Sequence, residues 1–151
     1  MAITSAICTS FKVELLEGDH DFNVGVDTIK CALMKAAASI SGTYGVATTN
    51  YSDVTGNSDE LAATGGYSTG GFALTNVNPT STGTTAFTDF SANASWSSAT
   101  FTTRGCLIYN TSDSNSAVAV IDFGADYSVS GGTFEIQWPA ADSSNAIIRI
   151  A

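Results

Sequence analysis

The chain predicts an all-β fold: an antiparallel β-sandwich, jelly-roll-like, with one short N-terminal α-helix. Three observations predict it. The last third reads as four strands in quick succession, Phe101 to Asn110, Ala117 to Gly124, Thr133 to Pro139 and Ala146 to Ile150, each apolar or alternating. Polar clusters at Thr111–Ser116, Ala125–Gly132 and Ala141–Asn145 cut each run from the next, the pattern of sandwiches and barrels. Thr, Ser, Gly, Ala and Asn dominate while Lys and Arg total only 5, and a scarcity of long helix-forming side chains favours strands joined by turns.

Each element follows from local pattern. Over Ser5 to Glu17, Ile7, Cys8, Phe11 and Leu15 fall at helical spacing. Thr4 or Ser5 is placed to cap this helix and Gly18 to end it. Asp19-His20-Asp21 then turns the chain. Thr28 to Met34 alternates, with Ile29, Cys31 and Leu33 on one face, as a half-buried strand does. Residues 36–71 weaken into Ala, Ser, Thr and Gly, broken by Gly65-Gly66 and Gly70-Gly71. That stretch is long for a plain connection, so it is expected to be a surface arm or an element pinned by a partner, with one helical turn at Asp59–Ala63. Phe72 to Val77, ended by Asn78-Pro79, and Thr84 to Phe90 resume as strands, and Trp96 falls in a turn before the final four. Ala117–Phe123 is apolar on both faces apart from Asp122 and reads as a central strand. Thr133–Trp138 alternates Phe134, Ile136 and Trp138 against polar neighbours, as a strand with one wet face does.

At 151 residues, 44% hydrophobic and 13% charged, the chain is read as one domain, 1–151, able to bury a core without metal or disulfide support. The formal charge of −9 argues against nucleic acid, which needs clustered Lys and Arg, and against an anionic membrane surface. It suits solubility at high concentration or a basic protein partner. Cys8, Cys31 and Cys106 are odd in number and lack metal-site spacing, so all are read as reduced and the chain as assembling in a reducing cytoplasm. No basic-then-apolar leader or run of transmembrane length is expected to act. The tripeptides at Asn50, Asn93 and Asn110 match glycosylation acceptors but carry no weight without a leader.

Candidate chemistry is sparse. His20, the only histidine, is flanked by Asp19 and Asp21; a base or metal ligand is conceivable, but no second His or Cys lies near it, and a polar turn after a helix is the plainer reading. Asp19, Asp21 and Asn23 alternate like calcium-loop ligands without that loop's glycine and late Glu, and Asp113 with Asn115 forms a similar turn. Such residues ordinarily bond their own backbone. With one His and no Gly-x-Ser-x-Gly elbow, a hydrolase triad is not expected, and no enzyme or cofactor is inferred. Asp122 and Glu135 lie on neighbouring strand candidates and could serve as paired carboxylates. They are read instead as structural ion-pair partners of Arg104 and Arg149, the two arginines. The strand aromatics are core by default. Partner-contact candidates are Phe11 on the helix and Tyr44, Tyr51 and Tyr67 in the glycine-rich segment, where local burial looks poor.

Four segments carry a resemblance: Arg104-Gly-Cys-Leu-Ile-Tyr-Asn110, Val118-Ala-Val-Ile-Asp-Phe-Gly124, Phe134-Glu-Ile-Gln-Trp-Pro-Ala-Ala-Asp142 and Asn145-Ala-Ile-Ile-Arg-Ile-Ala151. With the opening Ala2–Lys12 and Gly65–Gly71 they resemble a family of small virion structural proteins of tailed bacteriophages and prophages. Departures are Cys106, where a smaller residue is usual, and the stretch Asp53 to Ala63. The resemblance implies a non-enzymatic protein that decorates and cements the capsid by binding the major capsid protein. It would act as a homo-oligomer, a trimer being favoured, on the virion surface after assembly in the host cytoplasm. The alternatives are a tail or neck component, or a receptor- or glycan-binding module of a tail fibre.

Overall fold

The computed structural model describes residues 2–151. In chain order the elements are β1 (Ala2–Ile3), β2 (Ala6–Ile7), α1 (Thr9–Glu17), β3 (Ile29–Lys35), a 3-10 turn (Ala37–Ser39), β4 (Thr43–Tyr44), α2 (Tyr51–Gly56), β5 (Phe72–Ala73), β6 (Thr80–Thr82), β7 (Thr85–Thr88), β8 (Ala94–Asn110), β9 (Ser116–Ile136) and β10 (Ile148–Ile150). The protein is mostly β. An antiparallel five-stranded sheet has the order β2-β9-β8-β3-β5, a three-stranded antiparallel one β10-β7-β6, and β1 pairs with β4 in parallel.

The last third holds fewer and longer strands than its text suggests. Thr111–Asn115 makes a turn, and so does the stretch around Ser143–Asn145. Ala125–Gly132, expected as a turn, continues β9 instead, so the chain builds one hairpin of a 17-residue and a 21-residue strand. The glycines there bend the strand without ending it: Gly124 and Gly131 sit at φ +81° and +67°, as β-bulges require. Beyond the five-stranded sheet the hairpin runs on as a two-stranded ribbon, with Trp96 opposite Phe134 and Thr102 opposite Ser128. Trp96 is therefore a buried strand residue and not part of a turn. The central strand is β8; β9 lies between it and the short edge strand β2.

Cys106–Asn110 in β8, Ser116–Val120 in β9 and Cys31–Met34 in β3 are buried without alternation, which requires cover on both faces. Helix α1 packs on β9 and buries Phe11. It begins four residues later than its apolar spacing suggests, because Ala6 and Ile7 pair with Val120 and Ala119 of β9. Cys8, not Thr4 or Ser5, precedes the first turn, and its N–H is held by the Val118 carbonyl. Gly18 ends the helix as expected, at φ +88° with its N–H on the Glu14 carbonyl.

Residues 36–71 are packed, not free. Helix α2 opens on a capping box between Asn50 and Asp53. The helical turn expected at Asp59–Ala63 is absent; that segment runs along the edge of β3, with Lys35 N–H on the Asp59 carbonyl and Leu61 N–H on the Leu33 carbonyl. The arm thus seals a sheet edge that would otherwise be open to another chain. Gly71 lets it close: at φ +74° it lies so near β3 that a side-chain carbon would overlap the Cys31 carbonyl. Of the two strands expected after it, only Phe72–Ala73 and Thr85–Thr88 are regular.

Candidate functional site

The tyrosines of the arm point inward, onto an acidic dipeptide. Asp59 is 1% exposed and its carboxylate accepts from the Ser41 and Gly42 backbone N–H groups, the Ser41 hydroxyl and, at 2.6 Å, the Tyr44 hydroxyl. Glu60 accepts from Tyr51 OH at 2.6 Å, Tyr67 OH at 2.8 Å and Gly70 N–H at 2.6 Å. Tyr67 OH also accepts the Leu33 N–H of β3 at 3.0 Å, and Tyr51 stacks flat on Tyr109 with centroids 4.4 Å apart. Burial pushes the Asp59 carboxyl up, but the donors from Tyr44, Ser41 and Gly42 outweigh it and hold the group below its usual range. The phenols of Tyr44, Tyr51 and Tyr67 are raised, first by burial and further by their carboxylate partners; Tyr109 is pushed up to about 12, mainly by burial.

As partner contacts these residues are therefore corrected: Phe11, Tyr44 and Tyr67 are buried within the chain and Tyr51 is half-buried. Small residues around them suggested poor burial, whereas Gly and Ala let the backbone come close enough for the phenols to reach carboxylates.

Of the four ionic candidates, one pair forms. Arg104 Nε lies 2.7 Å and Nη2 3.3 Å from the two oxygens of Asp122, a bidentate fork. The Arg104 hydrogen bonds hold the Asp122 carboxyl low. Glu135 instead accepts from Asn93 and Gln137, and Arg149 donates to the Ser144 carbonyl. Asp122 and Glu135 are not brought together as a directly paired couple: Asp122 registers with Gly105 and Glu135 with Ser95, ten residues apart along β8.

His20 is the hub of a polar cluster. Its Nε2 is 2.9 Å from Glu14 Oε2 and 3.9 Å from Asp113 Oδ2, and its side chain is fully buried. Three such groups within 4.8 Å resemble a metal cluster, but the ring's other nitrogen decides otherwise. Asn110 Nδ2 lies 3.0 Å from His20 Nδ1 and 2.7 Å from Asp27 Oδ2, while Asn110 Oδ1 accepts the Ser112 N–H. A carboxylate only accepts and an N–H only donates, so the amide cannot be flipped. His20 Nδ1 is therefore the acceptor and Nε2 carries the proton, donated to Glu14. A metal on Nε2 would need that lone pair and would drive the proton onto Nδ1, against the Asn110 amide. The residues do not fit a metal; they tie α1 to the β8–β9 turn. Asp21 and Asp27 each turn one oxygen to such local use, Asp21 Oδ1 on Asn23 and Asp27 Oδ2 on the Asp21 N–H and the Asn110 amide, the ordinary use of such turns.

The surface unaccounted for is apolar. Between α1 and β10 runs a groove of about 630 Å³ lined by Ile7, Phe11, Leu15, Leu16, Ile148 and Ile150, with Lys12 and Arg149 at its rim. Leu16 is 91% exposed, Val13 51% and Ile150 57%. The signal in the sequence was Leu16 and Val13 standing off the buried Phe11 face of the helix. No family model, no curated protein and no solved structure matches the chain.

Proposed function

We propose that this chain is a non-enzymatic structural protein of a tailed-phage virion, a capsid decoration protein that cements the shell by binding the major capsid protein. In this reading its two antiparallel sheets form a jelly-roll-like β-sandwich, and copies meet as a trimer. The observation that carries the reading is the uncovered groove between α1 and β10, with Leu16 almost fully in water. Contiguous exposed apolar surface is costly for a solitary protein and marks a contact with another one. The high acidity suits many free copies staying dissolved before assembly.

Quantitative mass spectrometry of purified virions tests the proposal. A copy number comparable to the major shell protein is expected. A handful of copies per particle moves the protein to the neck or tail, and binding on a glycan array by the isolated chain moves it to a tail fibre. Particles lacking the protein are expected to assemble yet release genome at lower temperature; unchanged resistance counts against cementing. Leu16→Lys leaves the fold intact and is expected to lower occupancy on the shell by about tenfold or more, as loss of a buried anchor does.

A further inference from the structure

The two faces of helix α1 are used differently. Phe11 and Leu15 turn inward onto the core, and Glu14 is held by His20. Thr9, Val13 and Leu16, spaced by four and three, share the opposite face, which is exposed. Lys12 flanks that stripe on one side and Glu17 on the other, both exposed. Among the described residues neither makes an ion pair within the chain. Glu17 also stands in the last turn, where a carboxylate opposes the helix dipole and no basic residue relieves it.

We infer that copies of this chain assemble through α1, the helices side by side and parallel about a symmetry axis along them. The stripe reads as one heptad of a coiled-coil seam. Val13 takes the a position, Thr9 and Leu16 the d positions, Lys12 the g and Glu17 the e. In a parallel pair the g residue faces the following e residue of the neighbour, so Lys12 meets Glu17 of the next copy. An antiparallel pair would instead set Lys12 against Lys12 and Glu17 against Glu17, which repel. The parallel pairing also brings a cation to the carboxyl end of each helix, where Glu17 lacks one. Symmetry repeats it at every contact, in a ring of two or of three. Ile150, which lines the groove beside Lys12 and Leu16, adds apolar area at the flank. One heptad is too short to join free peptides. Here the helix is fixed beforehand, by Phe11 in the core and Gly18 at its end, so association orders little that is loose. The inference fills in how copies meet in the reading above; its test needs no virion, so the two fail separately.

Sedimentation equilibrium on the isolated full chain is the test, and a mass of two or three chains is expected. Leu16→Lys should weaken association by about tenfold or more, with the monomer's thermal unfolding unchanged. Lys12→Glu and Glu17→Lys, each alone, set like charges across the contact and should weaken it by about threefold or more. The double reversal should return it to within about twofold of the native chain. Glu17→Lys discriminates best, because it makes the chain less acidic and would relieve simple charge repulsion. Tighter association in Glu17→Lys, or no recovery in the double variant, overturns the pairing and the inference with it. Undiminished association in Leu16→Lys does the same. A single-chain mass up to about 1 mM also overturns it, and leaves the stripe to a protein of another kind.

Discussion

Single residues in this protein act chiefly by satisfying one another, and Tyr67 does so twice. Its hydroxyl accepts the Leu33 N–H and donates to Glu60, so Tyr67→Phe strands a buried donor and leaves that Glu60 oxygen with the Gly70 N–H alone. A loss of about 2–3 kcal/mol is expected in urea unfolding, since unsatisfied buried groups cost more than a net hydrogen bond returns. Carboxylates set the pH response. Asp59, Asp122 and Asp142 titrate lower in the folded chain than their usual 3.8, so the stability they give is present above that value and lost as pH falls below it, through the lower folded-state value. Asp89 opposes them: burial raises it despite the Phe90 and Ile147 N–H groups it accepts from. Its contribution is retained at low pH and lost as pH rises above 3.8. Three lowered groups against one raised predict a melting temperature that drops as pH falls below about 4, with the drop shallower in Asp59→Asn. The His20 cluster predicts a negative result: zinc or calcium should leave the melting temperature within about 1 °C, because a ligand that does not bind the native state cannot stabilise it. None of these partnerships was legible beforehand except Arg104 with Asp122. That pair lies on two strands the text itself places side by side, whereas Tyr44, Tyr51 and Tyr67 meet Asp59 and Glu60 only after the arm has folded over.

At the scale of elements, existence was easier to read than extent. The apolar periodicity of residues 7 to 15 marks α1, but pairing of Ala6 and Ile7 with β9 claims its first turn. Local propensity yields there to strand pairing, the weaker signal overruled by the tertiary one. The polar run Ala125–Gly132 has turn composition, yet its glycines serve as bulges in a strand that already has a partner along its length. Composition cannot distinguish a glycine that reverses the chain from one that kinks it. Gly71 is the strictest of these positions. Gly71→Ala combines a left-handed backbone with overlap on the Cys31 carbonyl, and is expected to cost about 3 kcal/mol or more, or to prevent folding. Gly18→Ala, with open space around it at φ +88°, should cost only about 1 kcal/mol; comparing the two by thermal unfolding separates backbone strain from steric overlap.

For the whole molecule, the segment that reads as an appendage belongs to the core. One buried cluster takes in Tyr44, Val54 and Tyr67 from residues 36–71 together with strand residues from β3, β8 and β9. Limited proteolysis at neutral pH should therefore spare that segment, and unfolding followed by tyrosine and by backbone signals should coincide. Early cleavage within 36–71 would contradict the packing described. All three thiols are buried and unpaired, with Cys8 pushed up to about 11 chiefly by burial, so labelling should wait for global unfolding. The order of the strands also has a consequence for synthesis. The five-stranded sheet is assembled on β8 and β9, which together begin at Ala94, so β2 and β3 leave the ribosome long before the strands they pair with. At about 5–20 residues per second the nascent chain spends several seconds with Ile29–Lys35 unpaired and sticky. How that interval is guarded therefore bears on the protein's yield in a cell, alongside how firmly the finished sheet is held.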